Sequence, residues 1–592
     1  MPIDNIPARL RATAARLSDE PAYYVKTGDS WHAATFAHYA RQVDDVARAL
    51  IALGLEAGDT TCIVGFNRPE WVIFDLATMR AGGAPAGIYT TSSPSEVQYI
   101  IDHAEAGIVL LEDRAQWEKV RVQLNNLPKL RTVVMMRDAG LIEHEKVLSW
   151  EAFLARAEDT PQGTLEAREQ GLEEDQIATL IYTSGTTGPP KAVMLSHKNL
   201  TWTATRAVEM ADLSDSDCSL SYLPLSHIAE QMFSIHAPIT TGYPIYFAES
   251  LLWVAANLAE VQPTVIFGVP RIWEKFYAKL STKMAGATGV KAKLLSWARG
   301  VGTQWTSHKG DGSSPSAGLR IQYALAHKLI FSKVKNAIGF DETDFFVSGA
   351  APVSAEILRF FASLDMLVYE VYGQSEDCGP TTVNRPGMTR LGSVGTSFPG
   401  VDVKIAEDGE IVVRGKNVFA GYLHDQEATD ATLVDGWLQS GDLGAFDAQG
   451  YLSITGRKKD ILITAGGKNI APKNLESDMK DLPLVAEAVC IGDRRPFLSA
   501  LICLDDEAAE AFCSAKGIDV AQATTSEELR QEVQKGIDAM NAKYAQVESI
   551  RKFVILPRML TMEDDELTPT LKVKRANVNK NWDETIEGIY AS

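Results

Sequence analysis

The chain has 592 residues, too many for one hydrophobic core, so two or more domains are expected. A hydrophobic content of 45% beside 23% charged residues is that of an ordinary water-soluble globular protein. The net charge of -20 excludes the broad basic footprint of a nucleic-acid binder, so any phosphate site must be local.

Cys62, Cys218, Cys378, Cys490, Cys503 and Cys513 show no CxxC spacing. Neither a zinc site nor a disulfide framework is suggested, and buried free thiols in a reducing compartment are expected. The first residues carry no apolar run followed by a cleavage site, and no stretch has the length and apolarity of a membrane span. A cytoplasmic protein is expected, with a composition also compatible with loose attachment to the inner face of a membrane.

In chain order, residues 39–53 carry a helix pattern closed by the Gly54/Gly58-Asp59 turn. A strand follows at 61–65, then helices at 69–80 and from about 95. This is α/β winding with mostly parallel strands, and the rhythm returns between 219 and 267. Residues 177–182 and 192–195 read as two strands around a loop. Residues 283–320, rich in Gly, Ser, Lys and Ala, read as a helical insertion closed by a flexible loop at 309–318. From 474 to 555 the units shorten to those of a small α+β domain, with the boundary between 456 and 457.

The loop Tyr182-Thr-Ser-Gly-Thr-Thr-Gly-Pro-Pro-Lys191 gathers small hydroxyls, two glycines and a lysine. Gly185 and Gly188 permit close approach of backbone to ligand, while Thr183, Ser184, Thr186 and Thr187 add hydroxyl donors suited to an oligophosphate. It is not a Walker loop. Only two residues separate the glycines, two prolines precede Lys191, Ala192 follows it, and a strand rather than a helix comes next. Taken alone, an ordinary hairpin turn remains the alternative.

Val371-Tyr-Gly-Gln-Ser-Glu376 follows an apolar run and ends in a hydroxyl and a carboxylate, the donor types that magnesium shares with phosphate oxygens. Ser348-Gly-Ala-Ala-Pro352 is a bend of small residues that could lie against a planar base. Asp442, at a glycine turn, suits two vicinal ribose hydroxyls, or merely caps the turn.

These strings resemble the signatures of the adenylate-forming enzymes, which include acyl-CoA synthetases, firefly-type luciferases and peptide-synthetase adenylation domains. The resemblance runs from about Trp31 to Lys580 and implies an α/β fold. In it a large multi-subdomain N-terminal domain with doubly wound sheets, residues 1–456, precedes a small mobile C-terminal α+β domain, residues 457–592, that rotates about a hinge near Lys459. It implies that Lys191 and the loop Thr183 to Gly188 hold the phosphates of ATP. Gly349, Ala350, Ala351, Tyr372 and Gly373 would border adenine, Ser375 the α-phosphate and Glu376 a magnesium ion. His227 would lie on the carboxylate side of the acyl pocket, although a lone histidine there is more often a core residue. Asp442 and Arg457 would hold ribose and phosphate, and Gly466 and Gly467 would line the tunnel for CoA.

Near the end, Leu567-Thr-Pro-Thr-Leu-Lys572-Val-Lys574-Arg575 resembles the terminal signature whose lysine serves adenylation, which gives Lys572, with Lys574 as the alternative. Leu571 stands where glycine is common, and Ser375 where threonine is common. Gly268-Val-Pro-Arg-Ile-Trp-Glu-Lys275 and the terminal signature look like long-chain fatty acyl-CoA synthetases, and Tyr89-Thr-Thr-Ser-Ser-Pro94 leans toward their bubblegum-type branch. The implied substrates are ATP with Mg2+, a fatty acid and CoA, for a monomer or homodimer. The alternatives are a ligase that loads a carrier protein, a non-catalytic fatty-acid-binding relative, and a phosphotransferase.

Overall fold

The structure is a computed structural model that describes residues 4–183, 189–465, 468–568 and 572–591. Its described residues form two compact units. The first comprises those up to 183 with 190–404 and 412–439, and the second Pro189, those in 405–411 and those from 440 onward. The division falls inside one strand, Trp437–Phe446, between Gln439 and Ser440.

The first unit holds a nine-stranded and an eight-stranded sheet. In the larger, the strands Ser219–Ser221, Val265–Gly268, Phe345–Ser348 and Val368–Tyr372 run parallel and side by side. Phe345–Ser348 is buried at every position, which is why its sequence shows no polar alternation. Helices Pro270–Ala285 and Ala355–Ala362 cover one face and interlock Trp273 with Phe340, Phe346 and Phe361. Antiparallel pairing is confined to edges, such as the hairpin of Pro21–Thr27 with Ser30–Thr35.

In the smaller sheet, Thr60–Val64 lies between Ala84–Ile88 and Ile108–Leu111, all parallel. The helix expected over 69–80 is Pro69–Arg80, and all twelve of its residues are buried. The helix expected from about 95 is Pro94–His103, where Ser93 and Glu96 close a reciprocal cap ahead of proline at the first turn. In the insertion, the loop expected at 309–318 is shorter. Helix Gly289–Asp311 ends at Gly312, whose φ is +72°, and Ser316 already caps the helix Ala317–Ala326.

The second unit is built on three strands ordered Val485–Ile491, Leu498–Leu504, Ile550–Ile555. The middle strand is buried at all seven positions. Helices Pro472–Lys480, Asp506–Lys516 and Glu527–Asn541 supply Met479, Cys513 and Ile537 to one core. Val578, Ile586 and Ile589 from the C-terminal helices pack with Val489 and Leu501 in another. No cysteine is disulfide-bonded. No helix among the described residues is long and apolar enough to cross a membrane.

Candidate active site

The phosphate-loop motif sits between two paired strands, Ile177–Thr183 and Lys191–Ser196, whose last register pair is Thr183 with Lys191. Ser184, Gly185, Thr186, Thr187 and Gly188 lie outside the described residues. Strand pairing therefore fixes where the lysine stands, and Lys191 is exposed. Its Nζ lies 3.2 Å from Asp425 Oδ2 and 5.0 Å from the centroid of the Tyr422 ring. Both distances suit an ion pair reinforced by a cation–π contact. Asp425 caps the helix Gln426–Thr432, and its carboxyl is held below the usual range first by the Ala428 amide and then by Lys191.

Tyr422 reaches the same place because Gly421–Tyr422 adds to the edge of Lys191–Ser196, with Tyr422 opposite Val193. Its hydroxyl donates to Glu376 Oε1 at 2.8 Å. Burial, and then the Glu376 carboxylate, push the phenol well above its ordinary value, so it remains a donor. Tyr422 thus touches both the loop lysine and the carboxylate assigned to the metal. Neither Tyr422 nor Asp425 carries a local sequence signal, since each depends on pairing between distant strands.

Glu376 stands in the short turn Ser375–Asp377 after strand Val368–Tyr372. Asp377 anchors that turn by accepting from the Gln374 amide at 2.8 Å and from the Thr381 hydroxyl. The Glu376 carbonyl accepts from Phe419 N at 2.9 Å. Gly373 is required on steric grounds, because a Cβ there would sit 1.5 Å from the Gly379 carbonyl oxygen. Burial raises the Asp377 carboxyl to about 7 and the Glu370 carboxyl to about 8. Asp377 holds the turn, Glu370 accepts from Gly392 N at 3.0 Å, and Tyr372 is buried.

The bend Gly349–Ala351 leaves the adjacent parallel strand Phe345–Ser348, beside Tyr372 in the sheet. Ala350 has φ +70°, left-handed backbone that a non-glycine residue seldom adopts. Ala351 is exposed, whereas Gly349 is packed so that a Cβ would meet Val371 Cγ1 at 2.7 Å. Two strands further along, beyond Val265–Gly268, the loop after Ser219–Ser221 carries His227, which caps helix Ile228–Gln231 and accepts from Ala229 N through Nδ1 at 3.1 Å. Buried Glu230 organises this loop, accepting from Ser221 Oγ, Ser234 Oγ, Tyr222 N and Asn67 Nδ2. His227, Gly349–Ala351 and Tyr372–Glu376 therefore all stand at the carboxyl ends of parallel strands of one sheet, the edge where open α/β sheets bind ligands.

In the second unit, Asp442 and Arg457 are register partners on paired strands, with Arg457 Nε 3.1 Å from Asp442 Oδ1. Lys458 binds Glu410 at 2.7 Å and Asp408 at 2.5 Å, and Lys459 follows it in the turn Lys458–Asp460. Lys473, which no motif singled out, feels both Asp442 and Arg457, and burial lowers its ammonium below the ordinary range. Gly466 and Gly467 lie outside the described residues. Thr568 N donates to the Lys572 carbonyl at 2.8 Å and Lys572 N to Thr568 Oγ1 at 3.0 Å, while the Lys572 side chain is exposed. The neighbouring basic residues are engaged in structure. Lys574 pairs with Asp565, and Arg575 binds Glu476 Oε1 and the Cys490 carbonyl, both at 2.6 Å.

Residues 10–423 match the AMP-binding enzyme family, and residues 459–592 match the AMP-binding enzyme C-terminal domain. The chain belongs to this family of AMP-binding, adenylate-forming enzymes. Within it, the chain is 37% identical to the long-chain-fatty-acid–CoA ligase ACSBG2 of Xenopus laevis, over 98% of this chain and 82% of that protein. Identity to human ACSBG2 is 36%, over 99% of this chain and 92% of that protein. Identity to the long-chain-fatty-acid–CoA ligase FadD15 of Mycobacterium bovis is also 36%, covering 97% and 95%. Among solved structures, the anthranilate CoA ligase AuaEII in complex with anthranoyl-AMP matches with a TM-score of 0.73 and 20% identity, over 99% of each chain. The A-PCP didomain of the Segniliparus rugosus carboxylic acid reductase, in complex with AMP, matches at 0.73 and 18%, covering all of this chain and 82% of that one. Those two likenesses establish the fold.

Proposed function

We propose that this chain joins a long-chain fatty acid to CoA through an acyl-adenylate. The fatty carboxylate attacks the α-phosphorus of ATP, the bond to pyrophosphate breaks, and the CoA sulfur then displaces AMP from the acyl carbon as the thiol proton is lost. The observation that carries the adenylation half is Tyr422, which touches both Lys191 and Glu376. Identity of 36–37% to long-chain-fatty-acid–CoA ligases, over nearly the whole chain, supports the choice of acid and acceptor.

In this reading Lys191 and the loop before it neutralise the departing pyrophosphate, a charge-stabilising role of the kind that dominates group transfer. Tyr372, Gly373 and Gly349–Ala351 border adenine, and Ser375 the α-phosphate. His227, oriented by its cap, faces the acyl carboxylate. Asp442 and Arg457 serve ribose and phosphate, and Lys572 the carboxylate and α-phosphate during adenylation. Lys459 is the hinge at which residues 457–592 turn from 1–456, and Gly466 and Gly467 admit pantetheine. Magnesium fits a donor set of one carboxylate that leaves most positions to phosphate and water, and Glu376, already oriented by Tyr422, would hold it. Bound there, the ion would offset charge on the phosphates. Among the described residues no group of three metal-binding side chains competes for it.

The test is pyrophosphate exchange without CoA. Exchange should require fatty acid and Mg2+, and thioester should form only when CoA is added. Formation of ADP in place of AMP would indicate phosphotransfer instead.

A further inference from the structure

Helix Pro94–His103 packs against the phosphate-loop hairpin and bonds to both of its feet. Its buried face, Val97, Ile100 and Ile101, shares one core with Tyr182 and Ala192, the register pair one step inside Thr183 and Lys191. Side chains alternate along a strand, so Tyr182 and Ala192 turn into that core while Lys191 is exposed outside it.

Two half-buried side chains one helical turn apart, Tyr99 and His103, add hydrogen bonds that the packing alone does not require. His103 Nδ1 lies 2.9 Å from the Tyr182 hydroxyl, on the strand that enters the loop. The Tyr99 hydroxyl donates to the Pro190 carbonyl at 3.2 Å, directly before Lys191. Pro190 has no N–H, so that carbonyl is the one backbone group by which this foot can be held. The Tyr99 and His103 rings stack with centroids 5.3 Å apart, and each orients the other.

His103 also meets His424 edge to face, with ring centroids 5.5 Å apart. His424, at φ +56°, directly precedes Asp425, the carboxylate paired with Lys191. One histidine therefore touches both the entry foot of the loop and the segment that carries the lysine's counter-ion. Burial first, and then His424, hold His103 below the ordinary histidine range, while Asp102 and Asp425 pull the other way. Burial also keeps the Tyr182 phenol well above its ordinary value. The ring is thus neutral at neutral pH, with Nδ1 accepting from Tyr182.

We propose that Tyr99 and His103 are positioning residues, a clasp that fixes both feet of the phosphate loop and so sets where Lys191 meets the departing pyrophosphate. The catalytic consequence rests on the phosphate reading of Lys191; the clasp itself does not. Tyr99→Phe and His103→Leu should each lower kcat/KM for ATP in pyrophosphate exchange about three- to tenfold, the scale of one neutral hydrogen bond. His103→Asn, which offers a polar atom near the place of Nδ1, should recover most of that loss. Tyr182→Phe should match His103→Leu, and combining the two should add little, because both remove the same bond. Thioester formation from supplied acyl-AMP needs no grip on pyrophosphate and should keep the wild-type rate throughout, whereas a damaged fold would slow both halves alike. The amides of Thr183 and Lys191, the last pair of the ladder, should exchange hydrogen faster in Tyr99→Phe and His103→Leu. Wild-type pyrophosphate exchange in those two variants overturns the proposal, and so does equal loss in both half-reactions or a His103→Asn no better than His103→Leu. Faster amide exchange in the clasp variants, beside a Lys191→Ala variant with wild-type kcat/KM for ATP, would leave the clasp standing and sink the phosphate reading.

Discussion

Tyr422 donates its hydroxyl to Glu376 at 2.8 Å while its ring lies 5.0 Å from the Lys191 ammonium. One side chain thus sets the position of the two charges on which the adenylation half depends. Tyr422→Phe keeps the ring and loses the hydrogen bond, a charge-assisted one worth about 1.5–3 kcal/mol. Pyrophosphate exchange should fall about tenfold or more and need more Mg2+ for half-maximal rate. Tyr422→Leu, which also removes the face under Lys191, should fall further. Equal rates for wild type and Tyr422→Phe would show that Glu376 is oriented by something else.

Lys191 and Asp425 form an exposed pair, so Asp425 adds only about 0–1 kcal/mol. Asp425→Asn should change the KM for ATP less than about fivefold. Lys191→Ala should lower kcat/KM for ATP by ~10²-fold, the scale of a lost charge-stabilising group. If the two variants suffer alike, the lysine acts through its aspartate and not on phosphate.

Lys572 and Lys574 are two residues apart but differ in surroundings, because Lys574 is committed to Asp565 and the Lys572 side chain is exposed. Lys572→Ala should cut adenylation by ~10²-fold and spare thioester formation from supplied acyl-AMP. Lys574→Ala should leave both steps nearly intact and modestly lower the melting temperature. The reverse pattern would move the assignment to Lys574.

Burial lifts Glu370 to about 8, and Glu230 and Asp377 to about 7. Each folded value lies above its unfolded one, so the stability these carboxyls contribute is complete below about pH 4 and lost as pH rises through 7 to 8. Glu370→Gln, which keeps an acceptor for Gly392 N, should flatten that decline in melting temperature. Parallel profiles for the two proteins would mean that Glu370 is not protonated in the fold.

Much of this was legible in the sequence, for identifiable reasons. The strands around the phosphate loop were readable because Ala192 to Leu195 is a continuous apolar run and Ile177 to Tyr182 is one broken only by the β-branched Thr179, and helix Pro69–Arg80 announced itself by its proline start. Glu376 and Gly349 stood in short strings whose chemistry is local. Tyr422, Asp425 and Lys473 did not, because each reaches its partners only through pairing or packing between segments far apart in the chain. The insertion loop is shorter than its Gly/Ser content suggests, because Ser316 serves as the cap of the helix that follows.

Nucleotide release measured across a panel of carboxylic acids, with CoA present, separates a fatty acid–CoA ligase from its alternatives. AMP, with acyl-CoA in equal amount, should form with long-chain fatty acids and little with short or aromatic ones. Release of ADP, or AMP formed only when a phosphopantetheinyl carrier protein replaces CoA, would contradict the ligase assignment.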